Sequence, residues 1–246
     1  MITRKFTYDN VTCEYHILGQ GRPLIFFHGG GITPKSYSKL LDILSKRYQV
    51  YAPHIPCFGN SSTPNKKWNF IDYGKYFSQF IDDLQLTDTI LIGHSFGGGV
   101  ALHTSTQSTK ISKLILIDPA GATMQHSKFT LYRAIIGKPL QQFIRNNKII
   151  TLNISLDSIQ NYIIKHFKNL VTHTRIVNHC IYFNYQIPTT FNTSTLILWG
   201  QDDQIFQGIT YAAWFKQQIS NSITKLIKGD HDWVIFEPEL LMRELN

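Results

Sequence analysis

Ser95 stands in Gly93-His94-Ser95-Phe96-Gly97, and its surroundings suit a nucleophile. A serine hydroxyl attacks a carbonyl carbon only when a base takes its proton and the chain presents it at a surface. Small residues two positions to either side permit the tight strand-to-helix turn that does this. The five-residue pattern is weak by itself. Here the apolar run Thr89–Ile92 precedes it and a glycine-rich helix start follows it, which strengthens the reading. His231 lies in Gly229-Asp230-His231-Asp232, directly after the last apolar run, and is the candidate base. A base of this type needs an acid to orient it. Asp202 and Asp203 follow Leu196-Ile197-Leu198-Trp199-Gly200, and two adjacent aspartates cannot both face one imidazole. Asp118, after Ile117, is a third candidate, although Asp118-Pro119-Ala120-Gly121 also reads as a plain turn. The negative oxygen of a tetrahedral intermediate requires donors. The N–H of Phe96 at a helix start and that of Gly30 in His28-Gly29-Gly30-Gly31 are the candidates. Such chemistry calls for no metal and no organic cofactor.

These residues can meet only if strands and helices carry them to one rim. Arg4–Tyr8 and Val11–Leu18 read as a hairpin around Asp9-Asn10. Leu24–Phe27, Thr89–Ile92, Leu114–Ile117 and Thr195–Trp199 are continuous apolar runs, the pattern of strands covered on both faces. Tyr48–Ala52 and Ile223–Ile227 complete eight strands. Thr33-Pro34 predicts a helix start, with Tyr37, Leu40, Leu41 and Leu44 at helical spacing behind it. Tyr73, Phe77, Phe80, Ile81 and Leu84 line a second helix, a third runs to about Gln107, and others are expected at Gly208–Ile219 and Pro238–Glu244. Strands alternating with helices predict an α/β fold, a mainly parallel sheet with helices on both faces. Loops at the carboxyl ends of parallel strands converge on one crevice. The stretch 122–192 has helical spacing, such as Ile159, Ile163, Phe167 and Leu170, without a clear buried strand. It reads as an insertion, dividing the chain into 1–121, 122–192 and 193–246.

Composition excludes several classes. Hydrophobic residues are 43% and charged residues 16%, as in a globular chain and unlike a disordered one. No eighteen apolar residues run together, so no membrane span is expected, and the first twenty residues lack the apolar block of a signal peptide. Cys13, Cys57 and Cys180 are odd in number and far apart, which argues against a disulfide framework and suits the cytoplasm. Of the formal charge of +8, the segment 122–192 carries +7: eight cations against the single acid Asp157. No nucleic-acid motif accompanies them, so nucleic acid is not the expected partner. A solvated basic face is the plainer reading, and peripheral contact with an anionic surface is the alternative.

Along nearly its whole length the chain resembles the α/β-hydrolase superfamily, through Phe27–Gly31, Ala52–Ser61, Gly93–Gly98, Trp199–Asp203 and Gly229–Glu239. The resemblance implies an eight-stranded sheet with a helical cap after the sixth strand. It also selects Asp203, the fifth position of the family's Trp-Gly-x-x-Asp. The chain departs from the family at His54-Ile55-Pro56-Cys57-Phe58-Gly59-Asn60-Ser61, where an aspartate and a glycine of the usual pattern are missing. The expected activity is that of a carboxylesterase-like serine hydrolase working through an acyl-enzyme, and a cap rich in Phe, Tyr and Ile as well as Lys and Arg points to a small or medium ester with an apolar acyl or alcohol part. A C–C bond hydrolase, an acyltransferase or a slow, receptor-like member would use the same three residues. The His28–Gly31 motif resembles the entry motif of the C–C hydrolases, but Ile32-Thr33 stand where that group has Pro-Gly.

Overall fold

A computed structural model describes residues 1–122, 148–161, 167, 170–206 and 208–245. One eight-stranded sheet is built from β1 (Ile2–Tyr8), β2 (Val11–Leu18), β3 (Arg22–Phe27), β4 (Tyr48–Pro53), β5 (Thr89–His94), β6 (Ile111–Ile117), β7 (Thr195–Gly200) and β8 (Ser222–Ile227). Its order is β1-β2-β4-β3-β5-β6-β7-β8. β2 runs antiparallel to β1 and β4, and every pair from β4 to β8 is parallel. Asp9 and Asn10 make the hairpin turn with φ of 47° and 59°, the left-handed pair that a two-residue connection needs.

The apolar runs split by alternation. Ile25 and Phe27 join one core, whereas Leu24 and Phe26 join the other; Leu114 and Leu116 separate from Ile115 and Ile117 in the same way. Both faces of each central strand are therefore dry, which is why no polar alternation marks them. The first face is covered by α2 (Phe70–Asp83), α3 (Phe96–Gln107) and α6 (Gly208–Gln218), the second by α1 (Ser38–Leu44), α7 (Trp233–Phe236) and α8 (Pro238–Glu244). Asn69 and Asp72 close a capping box at the start of α2. Thr33 caps a single 3-10 turn, Pro34–Tyr37, that leads into α1. The four-residue α7 was not expected from its sequence, being too short for apolar periodicity to register.

Between β6 and β7 lie α4 (Lys148–Ile159) and α5 (Leu170–Tyr182). Of the expected run Ile159–Ile163–Phe167–Leu170, Ile159 ends α4, Leu170 opens α5, and Phe167 is exposed. Ile163 lies outside the described residues, as do six of the eight cations of this segment; Lys148 and Arg175 are described and exposed. Asp157, the segment's lone acid, points inward. It accepts hydrogen bonds from the Thr33 N–H (2.8 Å), the Thr33 hydroxyl (2.9 Å) and the Ser36 hydroxyl (2.7 Å), clamping α4 to the turn after β3. Among the described residues no helix is long and apolar enough to cross a membrane. All three cysteines are buried free thiols, and burial pushes Cys13 and Cys57 up to about 12.

Candidate active site

The sheet changes direction at β3: the chain steps to β4 on one side and then returns to β5 on the other. Loops leaving the carboxyl ends of β3 and β5 therefore flank a crevice. Ser95 leaves β5 with φ 53° and ψ −119°, a conformation costing on the order of 1–3 kcal/mol. Neighbouring backbone holds it there: its N–H donates to the Ile117 carbonyl, and its own carbonyl accepts from Gly98 and Ala120, each at 2.9 Å. The flanking glycines are steric necessities. A Cβ on Gly93 would collide with the Gly97 carbonyl, and one on Gly97 with the carbonyl of Phe27 at the end of β3.

Three side chains from three loops meet at this turn. His231 Nε2 lies 2.9 Å from Ser95 Oγ, and His231 Nδ1 lies 2.9 Å from Asp203 Oδ2. A carboxylate only accepts, so the imidazole carries its proton on Nδ1 and offers a lone pair at Nε2 to the serine hydroxyl. Burial alone would raise the Asp203 carboxyl. Electrostatic attraction to His231 and its hydrogen bond, with the N–H groups of Ile205 and Phe206, outweigh it and leave Asp203 below its ordinary value. Oδ2 of Asp203 also accepts from the Trp199 indole at 3.1 Å. Asp202, by contrast, is exposed. Asp118 is buried but committed elsewhere: Oδ1 accepts from Gly200 N–H at 2.7 Å and Oδ2 from the Trp233 indole at 2.8 Å. It is a strut between the end of β7 and α7. Burial first, then the nearby Asp203, push its pKa well up.

The His28–Gly31 turn lies against Ser95. A Cβ on Gly29 would be 3.5 Å from Ser95 Cβ, and one on Gly30 would be 3.4 Å from Phe96 Cβ. Gly29 N–H is already spent on the Tyr37 hydroxyl at 2.9 Å. Phe96 opens α3, so its N–H has no acceptor within the helix. Gly30 and Phe96, the two residues whose N–H groups the sequence offers as oxyanion donors, thus lie side by side next to the turn that carries Ser95.

Two residues that spacing did not single out tie these loops together. His94 Nε2 is 2.7 Å from the His231 carbonyl, which can only accept, so His94 carries its proton there. Its Nδ1 must then accept from the Tyr37 hydroxyl at 2.5 Å, and the hydroxyl oxygen in turn accepts from Gly29 N–H. One directed chain links the turn after β3, the turn after β5 and the loop carrying His231. His94 was visible in the motif as its variable position; its role depends on a tyrosine 57 residues away, which no local pattern reveals.

A family profile described as "Alpha/beta hydrolase family" matches residues 24–244. A putative non-heme haloperoxidase of Mycobacterium phage D29 is 23% identical over 91% of this chain and 86% of its own. A 2-hydroxymuconate semialdehyde hydrolase of Pseudomonas sp. (strain CF600) is 28% identical over 50% of this chain and 45% of its own, so this likeness covers less than half of that protein. Among solved structures, a serine hydrolase involved in carbazole degradation superposes with a TM-score of 0.80 at 19% identity, covering 99% of this chain and 96% of that one. An esterase from Exiguobacterium antarcticum gives 0.76 at 19% identity, covering 96% and 95%. At such identities the superpositions speak for the fold alone. With a profile match from β3 to α8, on a sheet of this order, the chain belongs to the alpha/beta hydrolase family.

Proposed function

We propose that this chain is a serine hydrolase that cleaves a small or medium carboxylic ester through an acyl-enzyme. The observation that carries the reading is the unbroken line Asp203–His231–Ser95, with both contacts at 2.9 Å. Ser95 Oγ bonds to the ester carbonyl carbon while its proton passes to His231 Nε2. The carbonyl oxygen takes the negative charge and is met by the N–H groups of Gly30 and Phe96. Collapse breaks the C–O bond to the alcohol, which leaves with the proton from His231. Water then repeats the sequence on the acyl-serine and releases the acid. Aromatic rings surround the nucleophile: Phe58 lies 5.3 Å from Phe96, and Phe206 lies 5.3 Å from His231. They favour an apolar acyl or alcohol part.

The Pseudomonas relative supports a second reading, hydrolysis of a C–C bond in a vinylogous ketoacid by the same three residues. A fluorophosphonate probe followed by a panel of p-nitrophenyl esters and one such ketoacid tests both. Fast labelling lost in Ser95→Ala, with ester turnover, is the expected result. Preference for the ketoacid would select the second reading, and transfer to an added alcohol in place of water would make the chain an acyltransferase. A serine inert to the probe would overturn all three and favour a ligand-binding role.

A further inference from the structure

A second hollow lies away from Ser95, where the end of α4 roofs the turn after β3, the edge of β2 and the loop after β4. Its volume is about 430 Å³, within the range of small-molecule sites. None of Ser95, His231, Gly30 or Phe96 lines it. The roof is built in place. Asp157 is clamped to Thr33 and Ser36, and Asn161 Oδ1 accepts from Gly59 N–H at 2.6 Å. Leu18, Pro34 and Leu41 give the walls an apolar character. Asn161 is 1% exposed, and its Nδ2 has no hydrogen-bond partner among the described residues. A buried amide donor left unmet is costly, and an acceptor arriving in the hollow would relieve it.

The other polar groups narrow the chemistry. His16 and His54 line the hollow, and Glu14 lies close enough to both to suggest a metal ion. The hydrogen bonds argue otherwise. His54 Nδ1 faces the Asn60 N–H at 3.4 Å, so Nε2 bears the proton and points to His16 Nε2 at 3.1 Å. His16 Nδ1–H then donates to Thr3 Oγ1 at 3.0 Å, and neither Nε2 keeps a lone pair for a cation. Burial, against the pull of Glu14, holds His16 below its ordinary pKa and so neutral. Exposed Lys35 and Asp42 on the lining offset one another in charge, and Asp157 is committed to its three donors.

We propose that this hollow is a second small-molecule site, taking an uncharged, chiefly apolar molecule whose carbonyl oxygen accepts from Asn161 Nδ2. Thr33 forms part of its wall two residues beyond Gly31, so occupancy bears on the turn that carries Gly30. The site stands whether or not Ser95 hydrolyses an ester, because a ketone is not a substrate for that reaction.

The test is titration of the isotope-labelled full chain with 2-heptanone, followed by NMR, with heptanoate as the charged match. The expected result is saturable shifts at Leu18, Thr33 and the Asn161 side-chain amide. Heptanoate should bind at least about tenfold more weakly. Asn161→Asp keeps an acceptor for Gly59 and removes the donor; it should weaken the ketone about tenfold. Leu41→Trp, which fills the space, should abolish binding. Shifts confined to Ser95, Gly30 and Phe96 would overturn the proposal. So would absence of binding, equal affinity in both variants, or heptanoate binding as tightly as the ketone.

Discussion

At the scale of single residues, the geometry separates three aspartates that composition could not. Asp203 alone faces His231, Asp118 braces Gly200 and Trp233, and Asp202 is exposed. If Asp203 fixes the imidazole tautomer, Asp203→Asn should lower kcat by roughly 10⁴-fold, because an amide can present its NH2 to Nδ1 and reverse the proton's place. Asp202→Asn should leave kcat within about twofold, since exposed changes away from such features are nearly neutral; steady-state ester kinetics on the two variants makes the comparison. Tyr37 and His94 belong to the same scale. Tyr37→Phe strips the acceptor from Gly29 N–H and the donor from His94 Nδ1, loosening the turn that carries Gly30. Small displacements of this kind cost up to about 100-fold in rate. The expected outcome is a fall of about tenfold or more in kcat per titrated serine with KM within twofold. An unchanged kcat with lowered thermal stability would make Tyr37 a packing residue only.

At the scale of elements, two connections matter most. The turn from β5 into α3 works because neighbouring backbone pins it: β6 grips Ser95 through the Ile117 carbonyl, and β3 passes so close to Gly97 that no side chain fits there. Parallel pairing of β3, β5 and β6 thus creates the strained serine, and the strain is carried by the sheet. The second connection is α4, held by Asp157 on Thr33 and Ser36 while Ile149, Leu152, Leu156 and Ile159 stay exposed. Ile150 and Ile154 pack partly buried against the second core, and the buried carboxylate fastens the helix beside them. Asp157→Asn would set an NH2 against donors and cost about 1–3 kcal/mol. Amide hydrogen exchange should accelerate in 148–161 and stay unchanged in β3, β5 and β6; equal exchange in both regions would show that α4 is held by other means.

At the scale of the whole molecule, two buried histidines tie stability to pH. His28 donates from Nδ1 to the Gly29 carbonyl and accepts at Nε2 from Ile55 N–H, so it is neutral by construction. Burial holds it at about 4, against the hydrogen bond to Gly29 and the charge of Asp157. Burial likewise holds His103 at about 4. In the unfolded chain both titrate near their ordinary value of about 6.5. Between these limits the unfolded state binds protons that the native state refuses, so stability is full above about pH 6.5 and is lost as pH falls toward 4. Each histidine contributes roughly 3 kcal/mol of that loss. Urea midpoints should drop steeply from pH 6.5 to 4.5, and a flat profile would remove both residues from the account.

The eight strands, the glycines around Ser95 and the place of His231 directly after the last strand were legible because each is a local pattern. An apolar run marks a strand with two covered faces, and a small residue marks a turn with no room. The choice of Asp203 came from the family's Trp-Gly-x-x-Asp, since spacing alone left three aspartates open. Other features depend on contacts between residues far apart in the chain. Those are the inward turn of Asp157, the chain from Gly29 through Tyr37 and His94 to His231, and the hollow beneath α4. A hydrogen bond across 57 or 124 residues leaves no trace in periodicity or composition. It arises only when the sheet closes and the loops at its rim are brought within 3 Å, so the tertiary structure alone decided which polar groups have partners.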